Sequence, residues 1–405
     1  MQNIIVLGGN FAGISIAHHL LRHTLPLLNS TNSPEKYKLT LVSYSDHTYF
    51  NVAAPRALAA PEKVPLEKIF IPISTAFGSY KSSEFTFVHG EAFEIDENAR
   101  TVSVKDVRTA ETNSLPYAVL VVATGTRANI LFTLHGDHSN TIAAFHDMHA
   151  RLPEAKSVVI AGGGPTGVEV AAEMAFFHPE KDVTLLSGTS RLLSRVQNAS
   201  ISRKAEKKLA ALNVKTIHNV RVTAANKTKD ENKTSLEFSD GSTRVVDIYL
   251  DATGGKPNSG FLPASWLDIT TNRVVTDGET LRATQAPAGV YAIGDVASYS
   301  KCAIPDAAWP AAALAYSIWY DIQTGKISSA SSKKSEQSSS RSGANLSAIK
   351  EKKYKQIQSD MIVVPTGPKG GVGVILGWSI PSWLVWLLIA RTFGVDRVPK
   401  WAAGL

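Results

Sequence analysis

The stretch "NIIVLGGNFAGISIAHHLL", residues 3–21, joins an apolar run to a glycine-rich turn and then to a helical pattern. The continuous run Ile4-Ile5-Val6-Leu7 predicts a strand covered on both faces, as parallel sheets require. The turn from Gly8 to Gly13, "GGNFAG", then stands where a dinucleotide-binding fold cradles phosphate between strand and helix. Glycines serve three purposes there: the tight turn, close approach of backbone to a pyrophosphate, and packing of helix on strand. At G-x-G-x-x-G spacing the middle glycine falls at Asn10. Asn tolerates left-handed backbone better than other non-glycine residues, but its side chain is expected to crowd a pyrophosphate. Taken alone, the turn reads equally as a phosphate cradle and as an ordinary strand-turn-helix.

A second copy resolves part of this. "KSVVIAGGGPTGVEVAAEMAFF", residues 156–177, repeats strand, turn and helix, with Gly162, Gly164 and Gly167 at full spacing. The first copy is followed by "YKLTLVS" (37–43), the second by "KDVTLLSG" (181–188), each a further apolar strand. Each also leads, after a meander, to a strand ending in Ala-Thr-Gly: "AVLVVATGT" (118–126) and "VVDIYLDATGG" (245–255). An order repeated this closely marks duplication of a supersecondary unit. Within the first meander, "FTFVHGEAFEID" (85–96) and "TVSVKDV" (101–107) alternate like antiparallel strands. A third motif, "GVYAIGDVA" (289–297), ends a strand at Gly294-Asp295, which places a carboxylate at the ligand-binding edge of an α/β sheet or caps the next helix.

Composition narrows the function class. The 405 residues are 44% hydrophobic and 19% charged, suited to two or three globular domains. Cys302 is the single cysteine, so the chain has no internal disulfide and no cysteine cluster for zinc or iron–sulfur, and no metal is expected. Of the net charge of +7, six units fall between Lys326 and Lys355, where eight Lys or Arg face two acids. That Ser/Lys-rich segment is expected to be disordered, and it lacks the interleaved aromatics of a nucleic-acid surface apart from Tyr354. Met1 runs directly into the first strand, Gln2 excludes N-myristoylation, and the apolar run Trp383–Ala390 is too short to span a bilayer. The chain reads as a soluble, cytoplasmic protein, with peripheral membrane contact open to its C-terminal segment.

Together the four signals, in this order, resemble the flavoproteins with two dinucleotide-binding domains. Nearest in pattern are the apoptosis-inducing-factor-like and ferroptosis-suppressor-like NAD(P)H oxidoreductases, which are similar to type II NADH dehydrogenases. "HTYFNVAAPRALA" (47–59) and "GVGVILGW" (371–378) also look like that subfamily. The resemblance covers nearly the whole chain. It implies an α/β fold of two Rossmann-like domains, with an NAD(P)H domain (126–254) inserted in an FAD domain (1–125 and 255–325). A disordered insert (326–355) and a C-terminal segment (356–405) follow.

By the same resemblance, Gly8, Gly9, Asn10 and Gly13 hold the FAD pyrophosphate, and Gly162, Gly164 and Gly167 hold NADH or NADPH. Gly294 and Asp295 serve the FAD ribityl chain, and Thr124 and Gly125 link the two domains. His47, Tyr49, Pro55 and Arg56 lie near the isoalloxazine, and the helix starting near Asp306 points at its pyrimidine ring. Glu169, just past the third glycine, faces the nicotinamide; it also reads as an exposed first-turn acid favoured by the helix dipole. Arg391 matches a basic position of the subfamily.

The chain departs from the pattern at two points. The second strand of each unit ends in Ser43 and Ser187 and not in the usual ribose-binding acid, although Asp46 follows the first. A missing acid with Arg191 nearby leaves room for a 2′-phosphate, so NADPH use is expected unless Arg191 is a solvated surface charge. Hydride transfer to a flavin needs aligned rings and exclusion of water, and no triad or metal. Disulfide reductases of this fold need a cysteine pair, which Cys302 cannot supply. That leaves a quinone, oxygen or a protein electron carrier as acceptor, and the resemblance implies a quinone-type small molecule. "GWSIPSWLVWLLIARTFG" (377–394) suits a quinone-lining wall, an interfacial helix or a buried closing helix. A redox-responsive binding protein and an oxidoreductase tailoring one metabolite are the competing readings.

Overall fold

The computed structural model describes residues 1–30, 35–229, 232–327 and 351–405. Residues 328–350, the body of the expected Ser/Lys insert, lie outside the described residues.

Two doubly wound sheets carry the chain. The first begins with β1 (Gln2–Leu7), β2 (Tyr37–Ser43), β3 (Phe85–Asp96), β4 (Thr101–Asp106), β5 (Thr112–Pro116) and β6 (Val119–Val122). The chain then builds a second sheet from β7 (Ser157–Ala161), β8 (Asp182–Ser187) and β9 (Lys215–His218). An antiparallel meander, β10 (Val222–Lys227), β11 (Thr234–Phe238) and β12 (Thr243–Val246), precedes the last strand of that sheet, β13 (Ile248–Asp251). Finally β14 (Val290–Ala292) returns to the first sheet beside β6. The orders are β14-β6-β1-β2-β3-β4-β5 and β9-β8-β7-β13. The second sheet is wholly parallel, as is the first from β14 to β3.

Ile4, Ile5 and Val6 are fully buried, and Val119 to Val122 likewise, as expected for strands covered on both faces. β3 departs from the expected meander. Phe85–His89 pairs parallel with β2, and only Gly90–Asp96 pairs antiparallel with β4. Gly90 stands at the switch, where a Cβ would sit 2.4 Å from Val104 Cγ1. "VVDIYLD" divides similarly at Asp247, whose Oδ2 accepts from the Lys156 and Ser157 amides and the Ser157 hydroxyl.

The helices that matter to the site are α1 (Phe11–His19), α2 (Ala54–Ala59), α3 (His138–Arg151), α4 (Pro165–Phe177), α5 (Ala199–Ala210), α6 (Ile304–Ala308) and α7 (Ala311–Gln323). α1 runs on through a widened turn, Leu20–Thr24, to Leu28. Pro26, which has no amide proton, accounts for that widening. α2 packs on α4 through a buried ion pair: Arg56 Nε and Nη2 donate to the Glu173 carboxylate at 2.7 and 2.9 Å. The C-terminal segment forms a small antiparallel sheet, β15 (Ile362–Pro365), β16 (Gly371–Ile375) and β17 (Trp378–Ser379), beside α5.

Candidate active site

Both glycine turns sit where the strand order reverses. β1 lies between β2 and β6, and β7 between β8 and β13, so each turn leaves the central strand at a topological switch point. Gly8 has φ +111°, and a Cβ there would lie 2.4 Å from the Ala123 carbonyl oxygen; Gly162 (φ +124°) meets Ala252 in the same way at 2.3 Å. Gly13 and Gly167 press their helices on the turns, since a Cβ would approach the Gly8 and Gly162 oxygens to 1.7 and 1.8 Å. The Cβ direction at Gly164 is open, leaving space for a ligand against the start of α4.

Asn10 does not adopt the left-handed conformation expected for a glycine substitute. Its backbone is extended (φ −118°, ψ −161°), which any residue adopts. Its Oδ1 accepts from Thr48 Oγ1 at 2.8 Å and from the Tyr49 amide at 3.3 Å. The side chain is thus tied to the strand His47–Tyr49, and the turn keeps its form without a middle glycine.

Both turns open on one cavity of about 2440 Å³. Among its walls are Gly8, Gly9 and Asn10 on one side, Gly162 to Thr166 on the other, and Thr124, Gly125, Ala252–Gly254 and Asp295 between them. This exceeds the roughly 300–1,000 Å³ of an ordinary ligand pocket and suits two extended nucleotides. Asp295 sits at the end of β14, with its Oδ1 accepting from Ser300 Oγ at 3.0 Å, and burial pushes its pKa up. Gly294 (φ +77°) packs against Ala12 and does not line the cavity. α6 starts at Ile304, and Pro305, Asp306 and Ala307 face the cavity.

Glu169 is half-buried on α4 and lines the cavity. Burial first, and the Glu173 carboxylate second, hold its pKa well above the usual carboxylate range. Whenever it carries a proton it can donate a hydrogen bond into the site, a role an exposed first-turn acid lacks.

Other expected residues are placed elsewhere. Arg56 is buried against Glu173, and its Nη1 donates to the Arg391 carbonyl at 3.1 Å; it does not line the cavity. Of His47, Tyr49, Pro55 and Arg56, only Pro55 does. Arg191 turns away because its Nη2 donates to the carbonyls of Ser194 and Val196 at 3.0 and 2.9 Å. Arg195 and Arg221 face the cavity beside Ser187–Thr189 instead. Arg391 is exposed, with its guanidinium 5.7 Å over the Trp386 ring, whereas Leu388, Ile389 and Arg397 line the cavity. Arg221 follows β9, at the carboxyl edge where ligands bind, which is the signal that marks it.

Ser43 and Ser187, at the acid positions, occupy equivalent places under Gly9 and Gly163. Asp46 is drawn off by His47 Nδ1 (2.6 Å) and His138 Nδ1 (3.2 Å) and does not reach the cavity. Asp46, His47 and His138 bring three potential metal ligands within 4.8 Å. The two rings, however, stack at 3.7 Å with only 25° between their planes, so one ion cannot lie in the plane of both.

The comparisons agree with this geometry. The family described as pyridine nucleotide-disulphide oxidoreductase matches residues 2–316. Oxidoreductase phnG of Penicillium herquei is 33% identical, over 100% of this chain and 98% of its own length. Ferroptosis suppressor protein 1 of Xenopus tropicalis is 27% identical, over 73% of this chain and 74% of its own. Among solved structures, the sulfide:quinone oxidoreductase of Aquifex aeolicus superposes with a TM-score of 0.61 at 18% identity, covering 80% of this chain and 77% of that one. With its paired glycine turns opening on one shared cavity, this chain belongs to the pyridine nucleotide-disulphide oxidoreductase family.

Proposed function

We propose that the chain is an FAD-dependent NAD(P)H oxidoreductase that passes electrons to a quinone-type small molecule. The observation that carries the reading is the cavity shared by two glycine-rich strand-to-helix turns in a chain with one cysteine. Held there, FAD would supply the acceptor for hydride from reduced nicotinamide and the donor of electrons to a second substrate. The first turn, with Thr124, Gly125 and Asp295, is assigned to FAD, and the second to NAD(P)H. Residues 1–125 and 255–325 then form the FAD domain and 126–254 the NAD(P)H domain.

The chain's own residues would hold the two nucleotides, with Glu169, whose pKa burial raises, at the cavity wall. One cysteine makes no dithiol, which supports an acceptor other than a disulfide. The quinone assignment draws on the resemblance to ferroptosis-suppressor-like enzymes and on the quinone named for the Aquifex neighbour. A peripheral membrane contact by residues 356–405 belongs to the same reading, since such acceptors partition into lipid.

The test is direct. Purified protein should carry a yellow flavin and, without oxygen, should oxidise NAD(P)H faster with a soluble benzoquinone than without an acceptor. Colourless protein that takes up no FAD would sink the reading. Turnover with disulfides but not with quinone would sink the acceptor assignment alone.

A further inference from the structure

We infer that Tyr44 and Phe93 grip the adenine ring of the nucleotide at the first glycine turn by aromatic stacking, in place of an acid on its ribose. This deepens the reading above and rests on its assignment of that turn to FAD. At the acid's position Ser43 is buried under Gly9, where a Cβ would sit 2.8 Å from the Ser43 Oγ. That oxygen accepts from the Ser45 amide at 3.3 Å. Asp46 is held by His47 and His138 and does not line the cavity. Neither residue brings a carboxylate to the strand end where a ribose hydroxyl is ordinarily read.

Two aromatic residues stand there instead. Tyr44, directly after Ser43, is 39% exposed and lines the cavity. Its backbone is fixed to β3, because its carbonyl accepts from His89 Nε2 at 2.9 Å. Gly136 backs its ring so closely that a Cβ there would sit 2.8 Å from Tyr44 Cε1. Phe93, on β3 itself, is 42% exposed and lines the same cavity. β3 pairs with β4 at Ala92 and again at Glu94, with a register shift between them, so Phe93 is the extra residue of a β-bulge. Such a bulge breaks the in-out alternation of the strand and re-aims a side chain, a device common beside ligand sites. Both rings are thus held in place yet left uncovered by the protein's own packing. A purine stacks on an aromatic face without a charged partner, and one such contact contributes about tenfold or more in affinity.

The experiment follows FAD uptake by the flavin-free full chain through flavin fluorescence, with ADP and 2′-deoxy-ADP as competitors. Tyr44→Ser and Phe93→Ser should each weaken FAD binding about tenfold, whereas Tyr44→Phe and Phe93→Tyr should keep it near wild type. Because both rings are exposed, the melting temperature of the flavin-free serine variants should stay at the wild-type value. A grip on the base ignores the ribose hydroxyl, so 2′-deoxy-ADP should compete as well as ADP. Glu91, an acid on β3 that also lines the cavity, supplies the contrary case. If Glu91→Gln weakens FAD and 2′-deoxy-ADP competes about tenfold worse than ADP, the ribose is held by an acid and the inference falls. It falls equally if both serine variants bind FAD as wild type does. A wild type that takes up no FAD at all overturns the flavin reading itself, and the adenine grip with it.

Discussion

Asn10 shows how one side chain can replace a glycine by pointing elsewhere. Its oxygen bridges Thr48 and Tyr49, so the position serves the packing of the turn as well as the cavity wall. Asn10→Gly, expected from the motif alone to raise flavin affinity, should therefore not do so. It removes two hydrogen bonds and should cost about 1–2 kcal/mol of stability, read from chemical denaturation of the flavin-free protein. Glu169 gives a second prediction. Its folded pKa is raised, so the native state holds a proton that the unfolded chain releases above the ordinary carboxylate range. Stability contributed by this group is therefore present at low pH and lost as pH rises through the folded value. Glu169→Gln carries no such loss. The melting temperature of the variant minus that of wild type should grow as pH rises above the ordinary carboxylate range. A difference that stays flat would mean Glu169 titrates normally. If it also faces the nicotinamide, the same variant should slow NAD(P)H oxidation.

At the scale of elements, what could be read in advance was what the backbone alone determines. Gly8 and Gly162 need positive φ, Gly13 and Gly167 need close helix–strand approach, and both demands are written as glycine at fixed spacing. The two Ala-Thr-Gly strand ends and Gly294-Asp295 followed from the same local logic. Cation placement did not, because it depends on carbonyls brought close by folding. Arg191 lies nearest the end of β8 in sequence, yet the Ser194 and Val196 carbonyls capture it and leave Arg195 and Arg221 at the cavity. If the second turn binds NADPH, Arg195→Glu or Arg221→Glu should lower kcat/KM for NADPH against NADH by about 10- to 100-fold. Arg191→Ala should leave that ratio alone. Arg56 was misplaced for a similar reason: its partner Glu173 lies 117 residues away, on α4. Arg56→Ala strands a buried carboxylate and should cost about 3–5 kcal/mol, whereas Arg56→Met with Glu173→Leu should recover most of it in a double-mutant cycle.

Across the whole molecule, residues 354–360 connect the halves that carry the two glycine turns along the cavity. At one end Tyr354 Oη and Gln356 Nε2 donate to the buried Asp306 carboxylate at 2.9 and 3.1 Å. At the other, Asp360 Oδ2 accepts from the amides of Gln197 and Asn198, at 2.8 and 3.3 Å, just ahead of α5. Ile357, Gln358 and Ser359 line the cavity between them. No local pattern announced this strap, since each of its contacts joins distant parts of the chain. Its two anchors touch different sides of the cavity, so they should act on different ligands. Asp306 belongs to the wall that carries Asp295, and loosening it should release the flavin sooner. Tyr354→Phe with Gln356→Ala removes the strap's donors to a buried carboxylate and leaves only the Lys301 amide at 2.8 Å, a loss of about 1.5–3 kcal/mol that should speed FAD dissociation roughly tenfold or more. Asp360→Ala frees amides next to Arg195 and should raise KM for NAD(P)H while leaving FAD release unchanged. Stopped-flow flavin fluorescence and steady-state kinetics on both variants separate the two effects. If both variants altered the same ligand equally, the strap would act as a general brace and not as two independent anchors.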